Sequence, residues 1–120
     1  MQSCQLQVNN ILVPLWVRVA DSFPTRLIGL LGQAPAVGQG LLLQPCASVH
    51  TIGMRATIDV AFLGVNGEVL KLVPALRPMR FASCAGAQQV VETSCGYLET
   101  LGLALGDVVM PQQVFGAVAE

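Results

Sequence analysis

A chain of 120 residues with six basic and seven acidic side chains is of single-domain size, able to bury roughly two-thirds of its unfolded surface in one core. Its formal net charge of −1 excludes the long-range attraction that general nucleic-acid binding needs. The apolar fraction of 53% against 11% charged leaves apolar surface for a partner or a second copy to cover, so a homo-oligomer stays open.

Leu6-Gln7-Val8 and Ile11-Leu12-Val13, with Leu15-Trp16-Val17-Arg18-Val19, read as strand, rich in β-branched residues and joined by a turn at Asn9-Asn10. Trp16 reads as core. Ile11 to Val17 is too short, and too interrupted by Pro14, to approach the roughly 20 apolar residues of a bilayer span. The polar, uncharged Met1 to Asn10 does not resemble a secretory leader, so the chain as written reads as soluble and cytoplasmic. Asp21 or Ser22 caps an expected first helix, with Pro24 in its first turn and Gly32 stopping it. Gln33 to Gln39 reads as loop, and Gly40-Leu41-Leu42-Leu43-Gln44 as a short strand ended by Pro45.

The clearest local signal is a β-hairpin over residues 57–74, in which Asn66-Gly67 suits a type I′ turn between Ile58-Asp59-Val60-Ala61-Phe62-Leu63 and Glu68-Val69-Leu70-Lys71-Leu72-Val73. The first of these strands is apolar on both faces. Asp59 is its exception, and must meet a hydrogen-bonding partner or point into a polar pocket. Pro74 and Pro78 bracket an extended linker, Leu76 to Phe81, leading to Cys84. Gln88 to Glu92 is a further strand, followed by a short helix from Tyr97 to Leu101 with Ser94 as a candidate cap and Gly102 at its end. Leu105 to Met110 turns into another strand, and Val114 to Val118 is either one more or a tail. The expectation is an α+β, mostly antiparallel β domain spanning 1–120, a small barrel or strongly curled sheet with two short helices.

Candidate chemistry gathers around Cys46-Ala-Ser-Val-His50, because the only histidine of the chain sits four residues after a cysteine, just ahead of the hairpin. Cys46 and Cys84 flank that hairpin, so folding it back brings them toward one another. Four of the six cations, Arg55, Lys71, Arg77 and Arg80, fall within one 26-residue stretch, and the hairpin would set them on one side. Arg55, Arg77 and Arg80 are therefore candidate contacts for an anion or partner.

The order of these elements resembles the domain of unknown function 192 family, also known as uncharacterised protein family 0127, over about residues 11–110. Arg26-Leu27-Ile28-Gly29-Leu30-Leu31, Gly40 to Leu43, Ser48 to Arg55, Ile58 to Leu63, Asn66-Gly67, Arg77-Pro78, Cys84 and Gly96 to Asp107 carry the resemblance. It implies a small, mostly antiparallel, barrel-like β domain with short helices, and no known activity, substrate or cofactor. Many relatives carry an export leader.

Several readings of Cys46, His50, Thr51, Met54, Asp59 and Cys84 remain open at this level. Cys46 or Cys84, His50 and Asp59 form the residue inventory of a thiol nucleophile with its base and orienting carboxylate. Cys46, His50 and Cys84, with Met54 as a soft fourth group, could hold zinc or copper(I), although no standard zinc motif is present. A Cys46–Cys84 disulfide is a third reading, and core packing with backbone hydrogen bonds a fourth. The favoured expectation is a non-enzymatic binding or accessory domain presenting a pocket near Cys46 and His50 to a small ligand or protein partner. The alternative is a thiol-dependent or metal-assisted enzyme using Cys46, His50, Asp59 and Cys84.

Overall fold

The computed structural model describes residues 2–20 and 35–112. A seven-stranded, mostly antiparallel sheet is built from β1 (Gln2–Val8), β2 (Ile11–Ala20), β3 (Gln39–Leu43), β5 (Ile58–Leu63), β6 (Val69–Leu76), β8 (Gln89–Ser94) and β9 (Val109–Gln112). Two short strands, β4 (Ser48–His50) and β7 (Phe81–Ser83), form a separate antiparallel ribbon. The only helix among the described residues is α1 (Tyr97–Thr100). The strand order is β6-β5-β8-β3-β2-β1-β9, with β2 and β3 the one parallel pair.

The most apolar strands occupy the centre: all six residues of β5 are buried, as are Leu41 to Leu43 of β3 and Val90 to Thr93 of β8. Period-2 alternation then divides the core between the two faces of the sheet. One face gathers Leu15, Val17, Leu42, Ala61, Leu63 and Val91 and is closed by Tyr97 and Leu98 of α1. The other gathers Leu41, Leu43, Ile58, Val60, Phe62 and Val90 and packs against Val49 of β4, Ala82 of β7 and Met54.

The sheet is not a closed barrel. Its two edges touch at one corner only, where Glu68 bridges Val108, Val69 N–H donates to Asp107 C=O at 2.8 Å and Val109 N–H to Gly67 C=O at 2.8 Å. Beyond that corner β6 runs free of β9. The helix expected from Asp21 or Ser22 to Gly32 lies outside the described residues, as does Val114 to Val118.

Local chemistry meets the sequence expectation at Asn9-Asn10 and departs from it at three other places. Asn9 and Asn10 both take positive φ, 52° and 69°, and make the two-residue turn of the β1–β2 hairpin. At Asn66-Gly67 only Gly67 is left-handed (φ 84°), and Gly67 N–H donates to Gly64 C=O at 3.0 Å. The connection is thus a longer turn with a bulge, not type I′; Gly67 also passes too close to the Val109 carbonyl to carry a side chain. Strand β6 runs through Pro74 to Leu76 instead of stopping before it, because β6 is an edge strand on which the missing N–H of proline costs no ladder bond. Trp16 is not core but 45% exposed, on the face of β2 that alternates with buried Leu15 and Val17.

Candidate functional site

Asp59 resolves the puzzle of a carboxylate in a buried strand. Its Oδ1 accepts the Ala75 N–H at 2.9 Å, while Oδ2 accepts the N–H groups of Gly96 at 3.0 Å and Leu98 at 3.3 Å. The register slips between Ile58 and Val60, so Asp59 replaces a ladder partner for Ala75, which stands at φ 54°. The same carboxylate supplies the cap that α1 lacks locally: its N-cap is Gly96, at φ 87° with no side-chain cap bond, not Ser94. Buried to 1% exposure with three main-chain donors, Asp59 is an organising group for the hairpin and the helix.

Thr51 performs the corresponding task on the other side of the molecule. Fully buried, its hydroxyl donates to Arg77 C=O at 2.6 Å and accepts the Arg80 N–H at 2.9 Å. Its C=O accepts the N–H groups of Met54 at 3.1 Å and Met79 at 3.2 Å. Thr51 therefore fastens the loop after β4 to the loop before β7, and with it brings Arg55, Arg77 and Arg80 to one end of the molecule. Met54 turns inward, 6% exposed, against the core.

The ribbon sorts the remaining candidates by face. Ser48 pairs with Ser83, Val49 with Ala82 and His50 with Phe81. Val49 and Ala82 point into the core, so His50, Phe81, Ser48 and Ser83 point outward. His50 Nδ1 accepts the Ile52 N–H at 3.3 Å, and its ring centroid lies 6.1 Å from that of Phe81.

Cys46 and Cys84 come to the same end of the ribbon, where Cys84 N–H donates to Ala47 C=O at 3.0 Å. Both pack half-buried against the core, two residues along from Ser48 in one case and from Ala82 in the other. All four cysteines are free thiols; the Cys46 thiol donates to Ser48 C=O at 3.1 Å. The ribbon thus places Cys84 with the inward residues and His50 with the outward ones. Asp59 lies on the α1 side of the sheet, facing away from both. The nucleophile–base–carboxylate line that thiol catalysis needs is not assembled, and among the described residues no three His, Cys, Asp or Glu side chains come together to hold a metal.

What does assemble is a cationic, aromatic surface. Ser48, His50, Lys71, Phe81 and Ser83 border one open depression. Lys71 reaches it from β6, its Nζ 2.9 Å from Ser83 C=O and 5.9 Å from the Phe62 ring centroid. Arg55, Lys71, Arg77 and Arg80 are all exposed, and none is ion-paired among the described residues. Glu68 and Asp107 lie at the start of β6, a strand of eight residues and about 23 Å that separates them from Arg77 but not from Lys71; Glu99 sits on α1 across the sheet. The cations are legible in the sequence as a cluster, whereas the exposure of Phe81 depends on the ribbon that the linker forms with residues 48–50.

Glu92 is the second carboxylate of the sheet interior. It lies in central β8 between Val60 and Leu41, 1% exposed, and neither carboxyl oxygen has a hydrogen-bond partner among the described residues. Burial pushes its carboxyl up to about 7.

The fold is that of a mixed, largely antiparallel sheet with one covering ribbon, and two solved structures share it. A Sinorhizobium meliloti protein with a provisional transcription-regulator label superposes with a TM-score of 0.79 at 17% identity, covering 91% of this chain and 93% of its own. A Novosphingobium aromaticivorans protein of unknown function gives 0.75 at 19%, covering 88% and 83%. These likenesses establish architecture alone. Residues 5–111 match the family model DUF192, described as an uncharacterized ACR, and the chain belongs to that family. UPF0127 proteins are its relatives: one of Pyrococcus furiosus is 38% identical over 96 residues, covering 76% of this chain and 82% of the relative. Another, of Pyrococcus horikoshii, is 34% identical over 98 residues, covering 78% and 84%. A third, of Thermococcus sibiricus, is 36% identical over 100 residues, which span 78% of this chain but only 64% of that longer relative.

Proposed function

We propose that this protein is a non-enzymatic binding or accessory module whose working face is the outer side of the β4–β7 ribbon, and that its partner is anionic there. One observation carries the reading: Arg55, Arg77 and Arg80 stand exposed on the segments that Thr51 ties together next to His50 and Phe81, Lys71 borders the same depression as His50 and Phe81, and none of the four is ion-paired among the described residues. In a chain of net charge −1 such clustering creates a local positive field that steers an anionic partner to one end. The candidate residues divide accordingly. Arg55, Arg77, Arg80 and His50 contact the partner, Thr51 holds the loops that present them, Asp59 organises the hairpin and α1 behind them, and Cys46, Cys84 and Met54 pack against the core.

The test is a backbone amide titration by NMR with poly-L-glutamate and with polyphosphate at low salt. Shifts should centre on His50, Arg55, Arg77, Arg80 and Phe81 and vanish in Arg77→Glu/Arg80→Glu protein. Shifts distributed over Glu68, Glu99 or Asp107 instead, or none with either polyanion, would overturn the reading. The alternative, a thiol-dependent or metal-assisted enzyme using Cys46, His50, Asp59 and Cys84, is less well supported, since the Asp59 carboxylate is engaged by the Ala75, Gly96 and Leu98 N–H groups.

A further inference from the structure

We propose that this face docks on an anionic membrane surface, with Ile52, Met79 and Phe81 entering the headgroup layer and Arg55, Lys71, Arg77 and Arg80 forming an electrostatic collar. The inference rests on the anion-binding face described above and names its partner. Three large apolar side chains stand exposed at this place: Ile52 is 46% exposed, Met79 62% and Phe81 73%. They belong to the two segments that Thr51 ties together, so the fold holds them at one tip. Met79 is also held at φ 62°, a left-handed conformation that side chains disfavour, with its N–H fixed to the Thr51 carbonyl. Backbone strain is thus maintained at the residue that turns a long thioether side chain to solvent.

An acidic peptide would respond to the same charges, but the ribbon is a poor template for adding a strand. Its bonded pairs are Val49–Ala82 and the flanking Thr51–Arg80 and Ala47–Cys84, so the main-chain groups of Ser48, His50, Phe81 and Ser83 face the two outer edges. Two of those carbonyls are already engaged, Ser48 by the Cys46 thiol and Ser83 by Lys71. Three-residue edges with half their outward carbonyls occupied offer little to an incoming strand. A lipid surface asks for no ladder. It needs apolar side chains that reach the acyl boundary and cations that stay at phosphate level, and exposed residues of both kinds share these two segments, Ile52 and Arg55 on one, Arg77, Met79, Arg80 and Phe81 on the other. No helix among the described residues is long and apolar enough to cross a membrane.

The deciding experiment is co-sedimentation of the full chain with vesicles of phosphatidylcholine alone and of phosphatidylcholine mixed with phosphatidylglycerol. Binding is expected only to the mixed vesicles, and should weaken as salt shortens the Debye length below about 8 Å. Met79→Ser/Phe81→Ser and Arg77→Glu/Arg80→Glu variants, altered only at exposed positions, should each lose about tenfold or more in partitioning with an unchanged unfolding midpoint. Binding that ignores the apolar substitutions, or that is equal on both vesicle types, overturns the inference. If mixed vesicles fail to bind while poly-L-glutamate still shifts the ribbon amides, the lipid partner is wrong and the anion-binding face stands. If neither binds, both fall.

Discussion

Asp59 and Glu92 lie on paired strands, Asp59 opposite Thr93 and Glu92 opposite Val60, yet their carboxylates leave the sheet on opposite faces. One receives three main-chain N–H groups; the other receives none from the described residues. The two carboxylates of the sheet interior therefore act on stability with opposite signs, the first as an organising group and the second as a penalty that depends on pH.

Removing Asp59 strands three buried or half-buried donors at once. Asp59→Ala is expected to destabilise the fold by on the order of 3 kcal/mol, and Asp59→Asn by about half of that, because an amide keeps one accepting oxygen. Urea unfolding midpoints of the two variants against the parent check this. Equal midpoints would mean that Gly96, Leu98 and Ala75 find other acceptors.

Glu92 gives the pH dependence. Its folded-state value, about 7, lies above the ordinary 4.5, so the folded protein binds the proton more tightly than the unfolded chain. Stability is therefore greatest below pH 4.5 as far as this group is concerned, and falls as pH rises through 7, by roughly 3 kcal/mol in all. Glu92→Gln should flatten that slope and raise the melting temperature at pH 8 more than at pH 5. A parent protein whose melting temperature rises steadily from pH 5 to pH 8, with the variant following in parallel, would sink the assignment.

Much of this architecture was legible in the sequence because short-range pattern decides it. The unbroken apolar run Ile58 to Leu63 dictates a strand buried on both faces, and Asn9-Asn10 and Gly67 carry the backbone freedom that their turns require. Legibility failed where a partner distant in sequence decides the outcome. Phe81 to Ser83 reads as linker until Ser48 to His50 pairs with it, and α1 is capped by Asp59, 37 residues before Gly96. The candidate site divides the same way. Its cations were visible as a cluster, whereas the separation of Cys84 from His50 follows from strand alternation within a ribbon that no local signal announces.

Thr51 joins fold and function, since its hydroxyl serves the main chain of both arginines that frame the cationic face. Thr51→Val keeps the shape and deletes the hydrogen bonds, leaving Arg77 C=O and Arg80 N–H without their buried partner, at a cost of about 1–3 kcal/mol. Faster amide exchange should appear at Arg80 and should not spread to β8. Thr51→Ser, which retains the hydroxyl, should restore protection at Arg80; failure to do so would assign the effect to the lost methyl packing instead.

The four thiols provide a direct reading of whether any chemistry resides beside His50. By exposure alone Cys95 should react first with a disulfide reagent, Cys46 and Cys84 more slowly from their half-buried positions, and Cys4 only on unfolding. Burial leaves Cys4 2% exposed and pushes its thiol up, which lowers its thiolate fraction further. Single Cys→Ser variants assign each phase of the reaction. A Cys46 or Cys84 phase faster than that of Cys95, and slowed by His50→Ala, would mean that the imidazole activates a thiol. The order Cys95, then Cys46 and Cys84 together, then Cys4, unchanged by His50→Ala, leaves His50 to the cationic face that it shares with Phe81.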